Sequence, residues 1–180
     1  MKSYSSIFTG AICFLSIGFS THAFSATVTG NLGVVAIVGA GCQVNASNVT
    51  AGIVNFGSLD FGSINTIGNQ TIDAQTTGAG NGSIVMECSN GTTFNISLDN
   101  GQHFASSTRS MVNAGNPAVL LAYGLYQNVA RTVPWTTSSP LTGTASGAPA
   151  TFPVYGRIPP GQTGITSGTY NDTVQVVVTW

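Results

Sequence analysis

The sequence predicts an all-β sandwich, and three observations predict it. No segment sustains a helical period, while short runs of alternating apolar residues recur along the chain. Between those runs lie Gly-, Asn- and Thr-rich breaks, supplied by a chain with 23 glycines. The chain also ends in its most regular run, Asp172 to Trp180 (DTVQVVVTW), where Val174, Val176, Val178 and Trp180 share one face. Many short strands separated by turn signals pack as two faces around one core.

Taken in order, residues 1–25 read as a signal peptide. Lys2 supplies the positive start, and Ile7 to Phe19 is an apolar core of 13 residues, too short to span a bilayer. Cleavage is expected after Ser25, with Ala23 as the alternative, which leaves 180 − 25 = 155 residues for one exported, soluble domain with a real core. Ala26 to Cys42 (ATVTGNLGVVAIVGAGC) then alternates Val28, Gly30, Leu32, Val34, Ala36 and Val38 on one face of a predicted strand. Such a strand needs a partner for its backbone and a cover for its apolar face. Its own domain and a second copy of the chain are the two candidates. Val35 and Ile37 are apolar on the opposite face, so a slip of one residue also presents an apolar row.

A polar turn follows at Asn45 to Thr50. Two apolar runs, Ile53 to Phe56 and Leu59 to Phe61, flank Gly57, which reads as a kink or bulge. Residues 65–82 are polar and turn-rich, with one short strand expected near Gln70 to Ala74. Ser83 to Cys88 places Ile84, Met86 and Cys88 on one face, and Phe94, Ile96 and Leu98 alternate inward after the turn at Ser89-Asn90-Gly91. The Asn-Gly pair there is a hairpin signal. Arg109 to Val112 is a weak strand pattern, and Val119 to Tyr126 alternates Val119, Leu121, Tyr123 and Leu125. Pro134 to Ala148 reads as a loop around Trp135, Thr151 to Arg157 as a strand with Phe152 and Val154 inward, and Ile158-Pro159-Pro160-Gly161 as a rigid turn.

Charge and cysteine narrow the function classes. The exported chain would carry Arg109, Arg131 and Arg157 against Asp60, Asp73, Glu87, Asp99 and Asp172, a net 3 − 5 = −2. Eight charges cannot form a basic stripe, so nucleic acid is not an expected partner. Such a surface suits a protein packed against neighbours. After export only Cys42 and Cys88 remain, and an exported chain with two cysteines reads as one disulfide.

Several blocks together resemble the spore-coat-U family, which includes the pilins of the archaic, Csu-type chaperone–usher pathway. They are the tail Gly168-Thr169-Tyr170-Asn171-Asp172-Thr173-Val174 with its valine strand, and Tyr123 to Thr132 (YGLYQNVART) leading up to Trp135. Val154-Tyr155-Gly156-Arg157-Ile158, Phe56-Gly57-Ser58-Leu59-Asp60-Phe61 and the cysteine pair complete the set. The likeness runs from about Val28 to Trp180 and rests on order and spacing rather than on one motif. It implies an immunoglobulin-like sandwich that lacks its final strand and is completed by donor-strand exchange. The implied layout is a donor strand over residues 26–41 and a pilin domain over 42–180. Val28, Leu32, Val34, Ala36 and Val38 would be the donor side chains, and Val174, Val176 and Val178 would flank the acceptor groove. The implied partners are a periplasmic chaperone, an outer-membrane usher and neighbouring pilin subunits in a head-to-tail polymer. The implied place is a surface pilus serving adhesion and biofilm formation.

Two rival classes remain to be weighed. For an enzyme, His103 follows Asp99 by four residues, yet no nucleophile elbow, histidine pair or distinctive carboxylate pair accompanies it. Cys42 and Cys88 lack the paired spacing of a zinc site, and Gly78 to Gly82 lacks the lysine and helix of a phosphate cradle. Neither a cofactor nor a metal is expected. The other rival is a free-standing, lectin-like secreted sandwich in which the Ala26–Val38 strand pairs within its own domain. Seven Asn-x-Ser/Thr sequons do not favour it, since they arise by composition in so Asn-, Ser- and Thr-rich a chain.

Overall fold

Alternation decides which residues become strands, and the computed structural model, which describes residues 27–47 and 52–180, follows it closely. The expected signal peptide lies outside the described residues, as do the last residues of the turn expected at Asn45 to Thr50. The chain divides into two units, Met1–Ala36 and Ile37–Trp180. In the first, residues 27–36 form no strand and every side chain is exposed.

Within the second unit, the strands are β1 (Cys42–Val44), β2 (Ile72–Gln75), β3 (Ile84–Cys88), β4 (Thr93–Leu98), β5 (Phe104–Ala105) and β6 (Thr108–Asn113). They continue with β7 (Asn116–Tyr126), β8 (Leu141–Thr144), β9 (Ala150–Phe152), β10 (Tyr155–Ile158), β11 (Tyr170–Asn171) and β12 (Val176–Thr179). No helix occurs among the described residues. The chain is all-β. Three antiparallel sheets run β1-β3-β9, β11-β6-β7-β10-β2 with β5 on β6, and β12-β4-β8. They turn their apolar faces to one core: Ile84, Met86 and Cys88 from β3, Ile96 and Leu98 from β4, Leu121, Tyr123 and Leu125 from β7, and Ile158 from β10.

Several sequence expectations need correction. Asn90-Gly91 does turn the chain, with Gly91 at φ +83°, but it makes no hairpin: β3 pairs with β1 and β9, whereas β4 pairs with β12 and β8. The connection, longer than two residues, carries the chain from one sheet to another. The tight antiparallel pair is instead β6–β7, turned at Ala114-Gly115 and held by Asn113, whose Oδ1 accepts from the backbone N–H of Gly115 and Asn116. The 134–148 stretch is not simply a loop. It contains β8, and Trp135 is fully buried, its Nε1–H donating to the Ile96 carbonyl at 2.8 Å. The expected strand through Phe152 and Val154 splits at Pro153: β9 pairs with β3, and β10 with β7 and β2.

The runs flanking Gly57 form no strand, and Ile53 is wholly exposed. Gly57 itself is a kink, at φ +90°, where a Cβ would collide with the Gly80 carbonyl. Beyond the kink, Leu59 and Phe61 lie against Gly156 of β10, where a side chain would leave them no room. The segment therefore rests on the large sheet instead of joining it, and Phe61 meets Tyr123 edge to face with ring centroids 6.4 Å apart.

Cys42 and Cys88 face each other at the first rung of the β1–β3 pair and are joined by a disulfide across 46 residues. With three residues, β1 is too short to be held by its ladder alone. Closing a loop of that length contributes roughly 4 kcal/mol on the chain-entropy view. Cys88→Ser should therefore lower the unfolding free energy by about that amount in denaturant melts. Non-reduced, denatured mature protein should show no alkylatable thiol; two labelled thiols would overturn this.

Candidate functional site

An apolar groove in the second unit follows from where strands stop. β12 pairs with β4 on one side, and among the described residues no backbone or side-chain group pairs with its other edge. β1 is likewise the outer strand of its own sheet. A groove of about 1000 Å³ is lined by Val44 of β1 and by Val174, Val176 and Val178 along the C-terminal strand. Its floor is made of Leu98, Met111, Tyr123 and Leu125, and Phe56, Leu59 and Phe61 reach it from the 52–61 segment.

Period-two geometry fixes the groove wall. Val174, Val176 and Val178 are half-buried and pack on the core, while Val177 and Thr179 point outward. Trp180, expected on the same face, lines the end of the groove and stays 42% exposed. The structure thus gathers all three sequence-predicted groove valines along one wall.

The predicted donor residues are in a different condition. Val28, Leu32, Val34 and Val38 are 94%, 88%, 85% and 86% exposed, and Ala36 is exposed too. Residues 27–41 contain no strand, against the period-two expectation. The physical reason is that alternation makes a strand only where a ladder partner exists.

One end of the groove is polar, and sequence reasoning did not find it. Asp172, whose carboxyl is almost fully buried, accepts from the Tyr123 hydroxyl at 2.6 Å and the Gln102 N–H at 3.0 Å. His103 Nδ1 lies 3.0 Å from the same carboxyl. Asp99, four residues before His103 in sequence, is occupied elsewhere, accepting from the N–H groups of Gly101 and Gln175. The two aspartates thus tie the run-up to β12 onto the 99–103 turn. Next to them Arg109, buried, donates to the carbonyls of Leu98, Asp99 and Trp135 and has its pKa pushed down by that burial. The one available signal was an arginine on the inward side of a strand pattern. Burial first, then the hydrogen bond to Asp172 and its charge, hold the Tyr123 phenol well above the ordinary phenol range.

Among the described residues no group of three His, Cys, Asp or Glu side chains is placed to hold a metal. The arrangement offers backbone edges and apolar surface.

The profile of the Spore Coat Protein U domain matches residues 28–177. The chain belongs to the spore coat protein U family. This is a structural family, not an enzymatic one. Protein U of Myxococcus xanthus is 36% identical over 109 residues, covering 56% of this chain and 60% of that protein, so the match spans less than two thirds of the relative. Among solved structures, one similar chain is in the CsuC–CsuE chaperone–tip adhesion subunit pre-assembly complex from archaic chaperone–usher Csu pili of Acinetobacter baumannii. It is 22% identical with a TM-score of 0.44, over 78% of this spore coat U chain and 40% of that one. Another, from a chaperone–tip adhesin complex of CFA/I fimbriae biogenesis, is 15% identical with a TM-score of 0.39, over 77% and 41% of the two chains.

The Tyr123 phenol gives a test of the groove's polar end. Its folded pKa is raised above the unfolded value of about 10, so its contribution is fully present below about pH 10 and is lost as pH rises beyond it. Wild type should lose up to about 1.4 kcal/mol per pH unit more than Tyr123→Phe above about pH 10. Urea melts of both proteins on either side of that pH check this; parallel slopes would show that Tyr123 is not the group responsible.

Proposed function

We propose that this chain is a structural subunit of a chaperone–usher surface pilus, polymerising by inserting its N-terminal segment into the groove of a neighbouring copy. The observation that carries the reading is a mismatch within one chain. Residues 28–38 carry a strand's worth of exposed apolar side chains without a ladder, while β12 has an apolar wall and a free edge without a partner strand.

Each defect is costly alone, and one cures the other. Burying the four side chains Val28, Leu32, Val34 and Val38 at roughly 1.5–3 kcal/mol each gives about 6–12 kcal/mol gross. Ladder hydrogen bonds along β12 add to this, and ordering the segment offsets part of it. Because donor and groove are different parts of the surface, the contact is head-to-tail and non-closing, which yields a filament. Chaperone–pilin complementation is itself a known example of β-strand addition. On this reading a periplasmic chaperone fills the groove first, and an outer-membrane usher exchanges it for the next subunit's strand. The disulfide fits an oxidising, exported life. The pilus would then stand on the cell surface in support of adhesion and biofilm formation.

Val176→Asp would put an unpaired charge on the groove wall at a cost of several kcal/mol. Chaperone capture and polymerisation, read by co-purification and sizing, should both fail. Normal assembly of this variant would show that Val176 does not face the inserted strand.

Deleting residues 26–38 distinguishes donor from self-pairing strand. The shortened chain, co-expressed with its chaperone, should fold and accept a donor but be unable to extend a fibre. A peptide spanning Ala26 to Gly39, added in trans, should raise its melting temperature, and the same peptide with Val34→Asp should do so poorly. Unfolding of the shortened chain despite chaperone, together with a monomeric full-length protein, would favour the lectin-like sandwich instead.

A further inference from the structure

We propose that Gln162 is a strand-edge plug that closes β7 to intermolecular pairing and so confines strand addition to β12. The inference rests on the donor-strand reading for its purpose but on separate residues for its geometry.

β7 is the longest strand, 11 residues, and β10 covers only its C-terminal part, with partners Tyr126↔Tyr155, Leu125↔Gly156 and Gly124↔Arg157. Continuing that register by two residues would set Ala122 against Pro159. Proline has no N–H, so it cannot donate to the Ala122 carbonyl. The ladder therefore ends, and among the described residues the backbone of β7 from Asn116 to Ala122 has no neighbouring strand on that side.

Gln162 supplies the missing rung. Its Oε1 accepts from the Ala122 N–H at 2.7 Å, and its Nε2 donates to the Ala122 carbonyl at 3.0 Å. A carboxamide presents one acceptor and one donor side by side, as a peptide group does. The same Nε2 lies 3.2 Å from the Pro159 carbonyl, which ties the plug to the strand it replaces. The two peptide N–H groups that precede Ala122 at the same parity are those of Leu120 and Ala118. Ala118 donates to the Asn116 Oδ1 at 3.2 Å, so it too is occupied by a side chain. Only the Leu120 rung is left open, and a single rung is no template. The remaining outer strands are two to four residues long, no longer than β12 itself. β12 differs because apolar surface lies beside its free edge.

The test uses the full chain and three variants, sized by chromatography with light scattering at equal concentration. Gln162→Ala reopens the Ala122 rung, which together with the already open Leu120 rung makes two adjacent free peptide groups. It should raise the oligomer fraction about tenfold over wild type, the shift that one or two further backbone hydrogen bonds give. The double variant Gln162→Ala/Val176→Asp should keep that excess over Val176→Asp alone, because the new association does not use the groove. Adding Leu120→Lys to Gln162→Ala should abolish the excess, since a lysine on a reopened edge repels a second strand. The proposal is overturned if Gln162→Ala associates no more than wild type, or if the excess survives Leu120→Lys, which would point to misfolding instead of edge pairing. A wild type indifferent to Val176→Asp, with Gln162→Ala still oligomeric, would sink the donor-strand reading and support the plug.

Discussion

A β-strand has two edges, and β12 uses one. Much of the molecule can be read as a consequence of that shortage. The Val174–Val178 face is partly covered because the core reaches it from below, yet among the described residues its backbone has no neighbour on the outer side. The two aspartates at the head of the strand compensate from within. Asp172 and Asp99 clamp the run-up residues to the 99–103 turn, so that the wall is held in place within the single chain. Preorganisation of this kind reduces the ordering cost of binding.

Edges also explain the composition. With so few charges the protein cannot lean on ion pairs, and three of the eight in the exported chain sit in one surface cluster, where Asp73 receives Arg157 at 2.7 and 2.8 Å and Arg131 at 3.3 Å. The Arg157 hydrogen bond holds the Asp73 carboxyl below the usual carboxylate range. Elsewhere, amides satisfy the irregular backbone. Asn45 receives the Val85 N–H, Asn55 that of Gly57, and Asn128 those of Thr132 and Val133. A chain of many short strands has many loose peptide groups, and Asn and Gln terminate them where charge is scarce.

How much of this was legible in the sequence follows from the range of each signal. Alternation is local, so Ile84–Cys88, Phe94–Leu98 and Val119–Tyr126 were read with their inward residues correct, and so were the valines of the last strand. The disulfide was legible because removal of the expected signal peptide would leave two cysteines. Sheet membership was not: Asn90-Gly91 signals a turn wherever it stands, and only the partners of β3 and β4 decide between hairpin and crossover. Trp135 was read into a loop because its flanks are polar, although its burial depends on a carbonyl 39 residues away. The Asp172–Tyr123 bond spans 49 residues and the Asp172–His103 contact 69, and local spacing instead suggested Asp99.

The N-terminal segment shows what a period-two pattern can and cannot specify. It states which side chains would be covered together, and it says nothing about who covers them. In a single copy the pattern yields no strand over residues 27–41, because a strand is a property of a pair. The same logic runs in reverse at Gln162, whose carboxamide takes up the N–H and C=O of Ala122 as a neighbouring strand would. One chain thus carries an alternating apolar segment without a ladder, a β12 edge without a second strand and a β7 edge capped by an amide. Under the donor-strand proposal, the first two meet in a fibre and the third stays closed.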